Sequence, residues 1–228
     1  MRTPLPAESQ VDPSPLRPSR PMQPTEPSTP ATGIEIEQKY RLENPAEIER
    51  LLGQIGARPQ PHERHADTYY RHPARDFAQT REALRIRRVI VGDQGQTLVT
   101  YKGPLWAGAI KTRPELEWRI DPCDPDGANM AELLGHLGFV QTLTVAKTRR
   151  PFAFQHAGRS LHVTLDDAGP LGHFSEIETL ARGSDEFAAC HEAILAIAAM
   201  LGLSEAEPRS YLTMALIAAG AGSTDVSD

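Results

Sequence analysis

Gly33-Ile-Glu-Ile-Glu-Gln-Lys-Tyr-Arg41 alternates strictly along its length. Ile34, Ile36 and Tyr40 fall on one side, while Glu35, Glu37, Lys39 and Arg41 fall on the other. A period of two is the mark of a β-strand with one apolar and one charged face. The pattern returns downstream and predicts further strands at Glu63–Tyr70, Ala83–Val91, Thr97–Lys102, Thr112–Ile120, Thr142–Phe154, Ser160–Asp166 and Phe174–Leu180. Gly92-Asp-Gln-Gly95 and His156-Ala-Gly-Arg159 read as hairpin turns between neighbouring strands.

Helices punctuate the strands. Asn44, Pro45 and Glu47 supply an N-cap, a proline at the first helical position and a capping glutamate. The helix they open turns Ile48, Leu51, Leu52 and Ile55 inward and stops near Gly56. A weak repeat follows from this unit. The strands carrying Glu35 and Glu37, Glu115 and Glu117, and Glu176 and Glu178 each lead to a helix, ending Leu-Leu-Gly-Gln-Ile-Gly-Ala57, Leu-Leu-Gly-His-Leu-Gly-Phe139 and Ala-Met-Leu-Gly-Leu203. The repeat predicts that the three Glu-x-Glu strands share one environment.

Residues 1–32 are rich in Pro, Ser, Thr and Gln, and such a segment buries too little apolar area to offset its ordering entropy; it is expected to be disordered. Ala218 to Asp228 is expected to be a second flexible tail, which leaves one domain over 33–217. The net charge of -6 argues against a nucleic-acid binder. Cys123 and Cys190 form no disulfide or metal framework, no apolar signal core opens the chain, and Ala193–Leu203 is too short to span a bilayer. A cytoplasmic protein that binds neither membrane nor nucleic acid is the expectation, with a homodimer left open.

The charged faces are the candidate site. Acids stand at Glu35, Glu37, Glu115, Glu117, Asp166, Glu176 and Glu178, and bases at Lys39, Arg85, Arg87, Lys102, Arg113, Lys147 and Arg149. For any one strand, a solvated outer face explains the alternation. Recurrence along the chain favours a closed barrel whose lumen is charged. Such a lumen requires paired charges or a bound metal and anion. Carboxylates two apart on a strand can hold Mg²⁺ or Mn²⁺, while arginine forks and ammonium groups match polyphosphate oxygens. No G-x-x-x-x-G-K-[ST] loop is present, so phosphate would be held by side chains.

Glu35-Ile-Glu-Gln-Lys39 fits the ExExK signature of the CYTH, or triphosphate-tunnel, superfamily. The resemblance continues in order through Asp67-Thr-Tyr-Tyr70, Leu84-Arg-Ile-Arg87, Tyr101-Lys-Gly-Pro104, Lys111-Thr-Arg113 and Glu115-Leu-Glu117. It extends over Lys147-Thr-Arg149, Leu165-Asp166, Leu171-Gly-His-Phe-Ser-Glu-Ile-Glu178 and Pro208-Arg-Ser-Tyr211. It implies an α+β fold: a closed antiparallel barrel of about eight strands forming a charged tunnel, with helices packed outside. It implies Glu35, Glu37, Glu176 and Glu178 as metal ligands, Asp166 as a further metal ligand or the partner that fixes a basic neighbour, and Arg85, Arg87, Lys102, Arg113, Lys147 and Arg149 as the triphosphate clamp. Lys39 would touch phosphate or orient the attacking group and, with Glu37, is the catalytic pair. Glu115 and Glu117 are either metal ligands or partners of the arginines.

The resemblance is to the class IV adenylyl cyclase branch, which makes two-metal conversion of ATP to cyclic AMP and pyrophosphate the leading activity. Hydrolysis of tripolyphosphate, or of thiamine or nucleoside triphosphate, is the alternative. A non-catalytic polyphosphate-binding module is a third. Ala31-Thr-Gly33 stands where some cyclases of this class carry a His-Phe pair. Among other candidates, His62 and His65 read as a surface turn, and Gly103-Pro-Leu-Trp-Ala-Gly108 as a lid or a plain connection.

Overall fold

Hydrogen-bond ladders carry the alternation round a closed circuit. The computed structural model describes residues 33–108 and 110–220. Its strands are β1 (Gly33–Leu42), β2 (Arg58–Pro59), β3 (Glu63–Arg71), β4 (Ala83–Val91) and β5 (Gln94–Lys102). They continue as β6 (Lys111–Arg119), β7 (Val140–His156), β8 (Arg159–Asp167) and β9 (His173–Ala181). The helices are α1 (Pro45–Gln54), α2 (Phe77–Thr80), α3 (Ala128–His136), α4 (Phe187–Met200) and α5 (Tyr211–Ala218).

The strands run in the order β7-β3-β4-β5-β6-β1-β9-β8, and β8 pairs back to β7, so eight antiparallel strands close a barrel. β2 is an extra edge strand on β7. Each predicted strand is present with its ends moved by a few residues. β2 and α2 were not foreseen, because two and four residues carry no readable period. The first hairpin is tighter than its glycines suggested: Val91 pairs with Gln94, and Gly95 lies in the ladder opposite Ile90.

The three Glu-x-Glu strands are direct neighbours in the barrel, as β6-β1-β9. The repeat in the helices that follow them has its own cause. After α1, α3 and α4 the chain turns at Gly56, Gly138 and Gly202, all with positive φ. In each case the next amide reaches back to close the helix end: Ala57 to Leu52, Phe139 to Leu134 and Leu203 to Ala198. These are Schellman closures, which need a left-handed residue that glycine supplies without strain. At the start of α1, Asn44 Oδ1 accepts from the Glu47 amide at 3.3 Å. Glu47 does not complete the expected reciprocal cap; its carboxylate takes both forks of Arg50 instead.

Outward-facing apolar rows bind the helices. α1 and α4 share one core with β1, β8 and β9, centred on Ile36, Leu52, Val163, Ile177, Ile194 and Ile197. Fully burying a side chain of this kind stabilises by about 1.5–3 kcal/mol. α3 covers Tyr70, Ile86 and Val99 through Leu134. α5 sits differently: Tyr211 and Met214 pack with Tyr69, Val145 and Phe174. Ala218, expected to open a flexible tail, is instead the last residue of α5. The expected disorder of 1–32, and the tail over 221–228, lie outside the described residues. Among the described residues no helix is long and apolar enough to cross a membrane.

Candidate active site

The barrel encloses a cavity of about 1230 Å³ lined by side chains from all eight of its strands and from α2 and α5. Odd residues of β1 and even residues of β9 face it, because the pleat alternates and the apolar partners are claimed by the outer core. Every predicted base lines this cavity, as do all the predicted acids except Asp166.

On one side carboxylates crowd. Oxygens of Glu35, Glu37 and Glu178 lie within 4.8 Å of one another. Across the ladder, Glu37 stands opposite Glu178 on β9 and Lys111 on β6. Lys102 Nζ bonds Glu35, at 2.5 Å to Oε2, lies 3.0 Å from Glu115 and 3.8 Å from Glu37. Arg113 stays 3.6 Å from Glu35 and 3.7 Å from Glu37.

Burial, then the Glu37 charge, pushes the Glu35 carboxyl well above its ordinary range. Glu37 is also desolvated, but Lys102, Lys111 and Arg113 together hold it well below that range. Burial raises Glu178 as well, in spite of Arg149. Glu115 is held down to about 2, with Lys102 overcoming its burial. Glu115 is therefore a partner of the bases, and Glu117 accepts a 2.8 Å hydrogen bond from Thr100.

On the other side the bases are held in pairs by shared acids. Asp67 takes Arg87 through two bonds of 2.7 Å and Arg85 at 3.2 Å. Asp166 accepts two 2.7 Å bonds from Arg149, one of 2.8 Å from Lys147 and one of 2.8 Å from the Tyr211 hydroxyl. Glu176 takes Arg149 at 2.5 Å. Burial works against the guanidinium charges, yet Asp67 and Asp166 hold Arg85 and Arg149 above their ordinary range. Asp166 sits far below its own range because Arg149 and Lys147 outweigh its desolvation.

The structure thus brings together three of the five predicted metal ligands. Asp166 and Glu176 lie among the bases, where their oxygens already accept hydrogen bonds.

Lys39 joins the two sides. Its Nζ rests 4.2 Å from the Tyr211 ring centroid and 5.7 Å from that of Phe174. Burial, reinforced by Lys111, brings its ammonium down to about 7. The Lys147 Nζ lies 4.4 Å from the centroid of the same Tyr211 ring.

Three cavity or lumen residues escaped the reading of roles. Asp67, Lys111 and Tyr211 all stood in the motifs above without one, and the period of two along β3 puts Asp67 on the same face as His65. His65 corrects an expectation. It belongs to β3, is buried, and its Nε2 meets Glu63 at 2.6 Å instead of lying in a surface turn. Burial lowers it to about 4. Two buried guanidinium donors, Nε of Arg85 and of Arg113, make no hydrogen bond.

A family model described as CYTH domain matches residues 33–211. "Putative adenylate cyclase MJ0240" of Methanocaldococcus jannaschii is 29% identical over 183 residues, covering 79% of this chain and 98% of that protein. The solved structure of PH1819 protein from Pyrococcus horikoshii OT3 is 38% identical with a TM-score of 0.72, covering 81% of this chain and 99% of that one. A structure from Vibrio parahaemolyticus described as a "putative adenylate cyclase" is 25% identical with a TM-score of 0.65, covering 80% and 98%.

Proposed function

Because the chain belongs to the CYTH domain family, we propose that it is a metal-dependent enzyme acting on a triphosphate held along the tunnel, with ATP conversion to cyclic AMP and pyrophosphate as the first reading. One observation carries this: the buried carboxylates of Glu35 and Glu37 and the half-buried one of Glu178 converge within 4.8 Å in the same cavity that is lined by Arg85, Arg113, Lys147 and Arg149.

Glu35, Glu37 and Glu178 fit a divalent cation. They offer hard oxygen donors, and the raised carboxyls of Glu35 and Glu178 mark a site short of positive charge. Bound Mg²⁺ or Mn²⁺ would supply Lewis-acid polarisation of phosphoryl oxygens. Arg85, Arg87, Lys102, Arg113, Lys147 and Arg149 hold the phosphate chain, and the unbonded Nε donors of Arg85 and Arg113 suit its oxygens. Asp67 and Asp166 fix those bases in place before substrate arrives, which spares reorganisation during the reaction. Lys39, at about 7, can exchange a proton with an attacking hydroxyl near neutral pH.

In the first reading the ribose 3′-hydroxyl attacks the α-phosphorus and pyrophosphate leaves. The names borne by two relatives support it. In a second reading water attacks the terminal phosphorus. The lumen favours that reading to this extent: its guanidinium and ammonium donors hold phosphate oxygens without requiring a nucleoside.

Incubation with ATP and with tripolyphosphate, each with Mg²⁺ or Mn²⁺, followed by chromatography, decides. Cyclic AMP and pyrophosphate are expected, with turnover lost in Glu37→Ala. ADP and phosphate, or fast phosphate release from tripolyphosphate, would establish the second reading. Tight binding with no product from either would reject catalysis.

A further inference from the structure

Among the described residues, Arg113 is the one arginine of the phosphate clamp that bonds no carboxylate. Its guanidinium stays 3.6 Å from Glu35 and 3.7 Å from Glu37. Arg85, Arg87 and Arg149 each donate directly to an acid. What orients Arg113 is a main-chain group: its Nη1 donates to the Arg81 carbonyl at 3.5 Å.

That carbonyl belongs to the connection between β3 and β4, where α2 lies. Arg81 closes α2 at φ 58 and ψ 27, in the left-handed region. A residue with a side chain keeps that conformation where its surroundings impose it. Here the next residue supplies them. The Glu82 amide donates to the Phe77 carbonyl at 3.0 Å. The buried Glu82 carboxylate accepts from the Thr80 hydroxyl at 2.7 Å and from the Tyr101 hydroxyl, and lies 3.5 Å from Arg75. Thr80 and Arg75 belong to the connection itself, whereas Tyr101 belongs to β5. One carboxylate thus ties the connection both to itself and to the barrel wall. A buried carboxylate is stable only when its oxygens are bonded, so these partners are required.

We propose that Glu82 is a positioning residue for the phosphate clamp. It holds the Arg81 carbonyl against Arg113 and so sets the direction of a guanidinium that no acid fixes. Arg81, Glu82 and Arg113 all line the cavity, which puts this control beside the space a phosphate chain would fill. The inference rests on the triphosphate reading and adds to it a residue that acts through Arg113.

A double-mutant cycle tests it, with initial rates on tripolyphosphate and ATP in Mg²⁺ and melting temperature as the check on folding. Glu82→Leu should raise KM for both substrates about tenfold, the factor carried by a hydrogen bond to a charged group. A protein that is merely destabilised loses active fraction, which lowers kcat and leaves KM in place. Tyr101→Phe removes one hydroxyl and keeps the ring, so KM should rise in the same direction by less. Glu82→Gln keeps an acceptor oxygen and should recover most of the loss. In an Arg113→Lys background, which retains the charge without the fork, Glu82→Leu should add nothing. An unchanged KM in Glu82→Leu and Tyr101→Phe, or an equal rise in both backgrounds, would overturn the role of Glu82 and leave the triphosphate reading standing. Failure of the unaltered protein to bind or turn over either compound would overturn both.

Discussion

Asp166 and Glu35 are buried carboxylates of one barrel, and their surroundings could hardly differ more. Asp166 is met by Lys147, Arg149 and the Tyr211 hydroxyl, all within 2.8 Å. Glu35 shares Lys102 with Glu115 and stands beside Glu37 and Glu178. The first environment lowers its carboxyl and the second raises it. One half of the lumen is neutralised within itself. The other keeps crowded carboxylates whose repulsion a bound proton or an added cation relieves. Under the proposed function, the difference separates residues that would prepare the site from residues that would take a cation.

The largest effect should come from breaking the self-neutralised half. Asp166→Asn leaves Lys147 and Arg149 buried with less compensation, and breaking such a pair costs about 3–5 kcal/mol. Urea unfolding should show that loss. A change under about 1 kcal/mol would mean that water, not Asp166, carries those charges.

His65 probes the same half by pH. It lies near Arg87, Arg149 and Lys147, and its folded value of about 4 is below its ordinary 6.5. A lowered value means stability that is complete above pH 6.5 and drains away as pH falls toward 4. The linkage amounts to about 3 kcal/mol at most. Melting curves of the native protein and His65→Gln should converge toward high pH and separate on acidification. Parallel curves across that window would remove His65 from the account.

The crowded half should respond in the opposite sense. Raised carboxyls at Glu35 and Glu178 contribute stability below the unfolded carboxyl range, and lose it as pH rises through their folded values. Mg²⁺ or Mn²⁺ at one hundred times its dissociation constant should stabilise by about 2.7 kcal/mol. Glu35→Gln should remove most of that shift and, without metal, leave the protein equally stable or better by about 1 kcal/mol. Calorimetry with and without metal measures both. A destabilised Glu35→Gln that still gains fully from metal would erase the contrast between the halves.

Much of this was readable before any coordinates. The alternation in GIEIEQKYR assigned Glu35, Glu37 and Lys39 to one face and Ile36 to the other, because a strand's pleat permits nothing else. The three Leu-Gly and Leu-Leu-Gly helix ends came from a local hydrogen-bond closure, and local closures are written in consecutive residues. The adjacency of β6, β1 and β9 was only hinted at by the shared acids.

Periodicity says which residues face the lumen and stays silent on who meets whom across it. The resemblance left Asp166 between a metal and a basic neighbour, and it stands with the bases because β8 pairs with β7 and sets it opposite Arg149. Tyr211 is 45 residues from Asp166, and only the return of α5 to the barrel mouth unites them. Lys39 was legible as a lumen lysine, whereas its value near 7 depends on Tyr211, Phe174 and Lys111 arriving from other elements. Which side chain faces inward is decided by local backbone geometry. How strongly it is charged there, and what it can hold, is decided by long-range contacts and the exclusion of water.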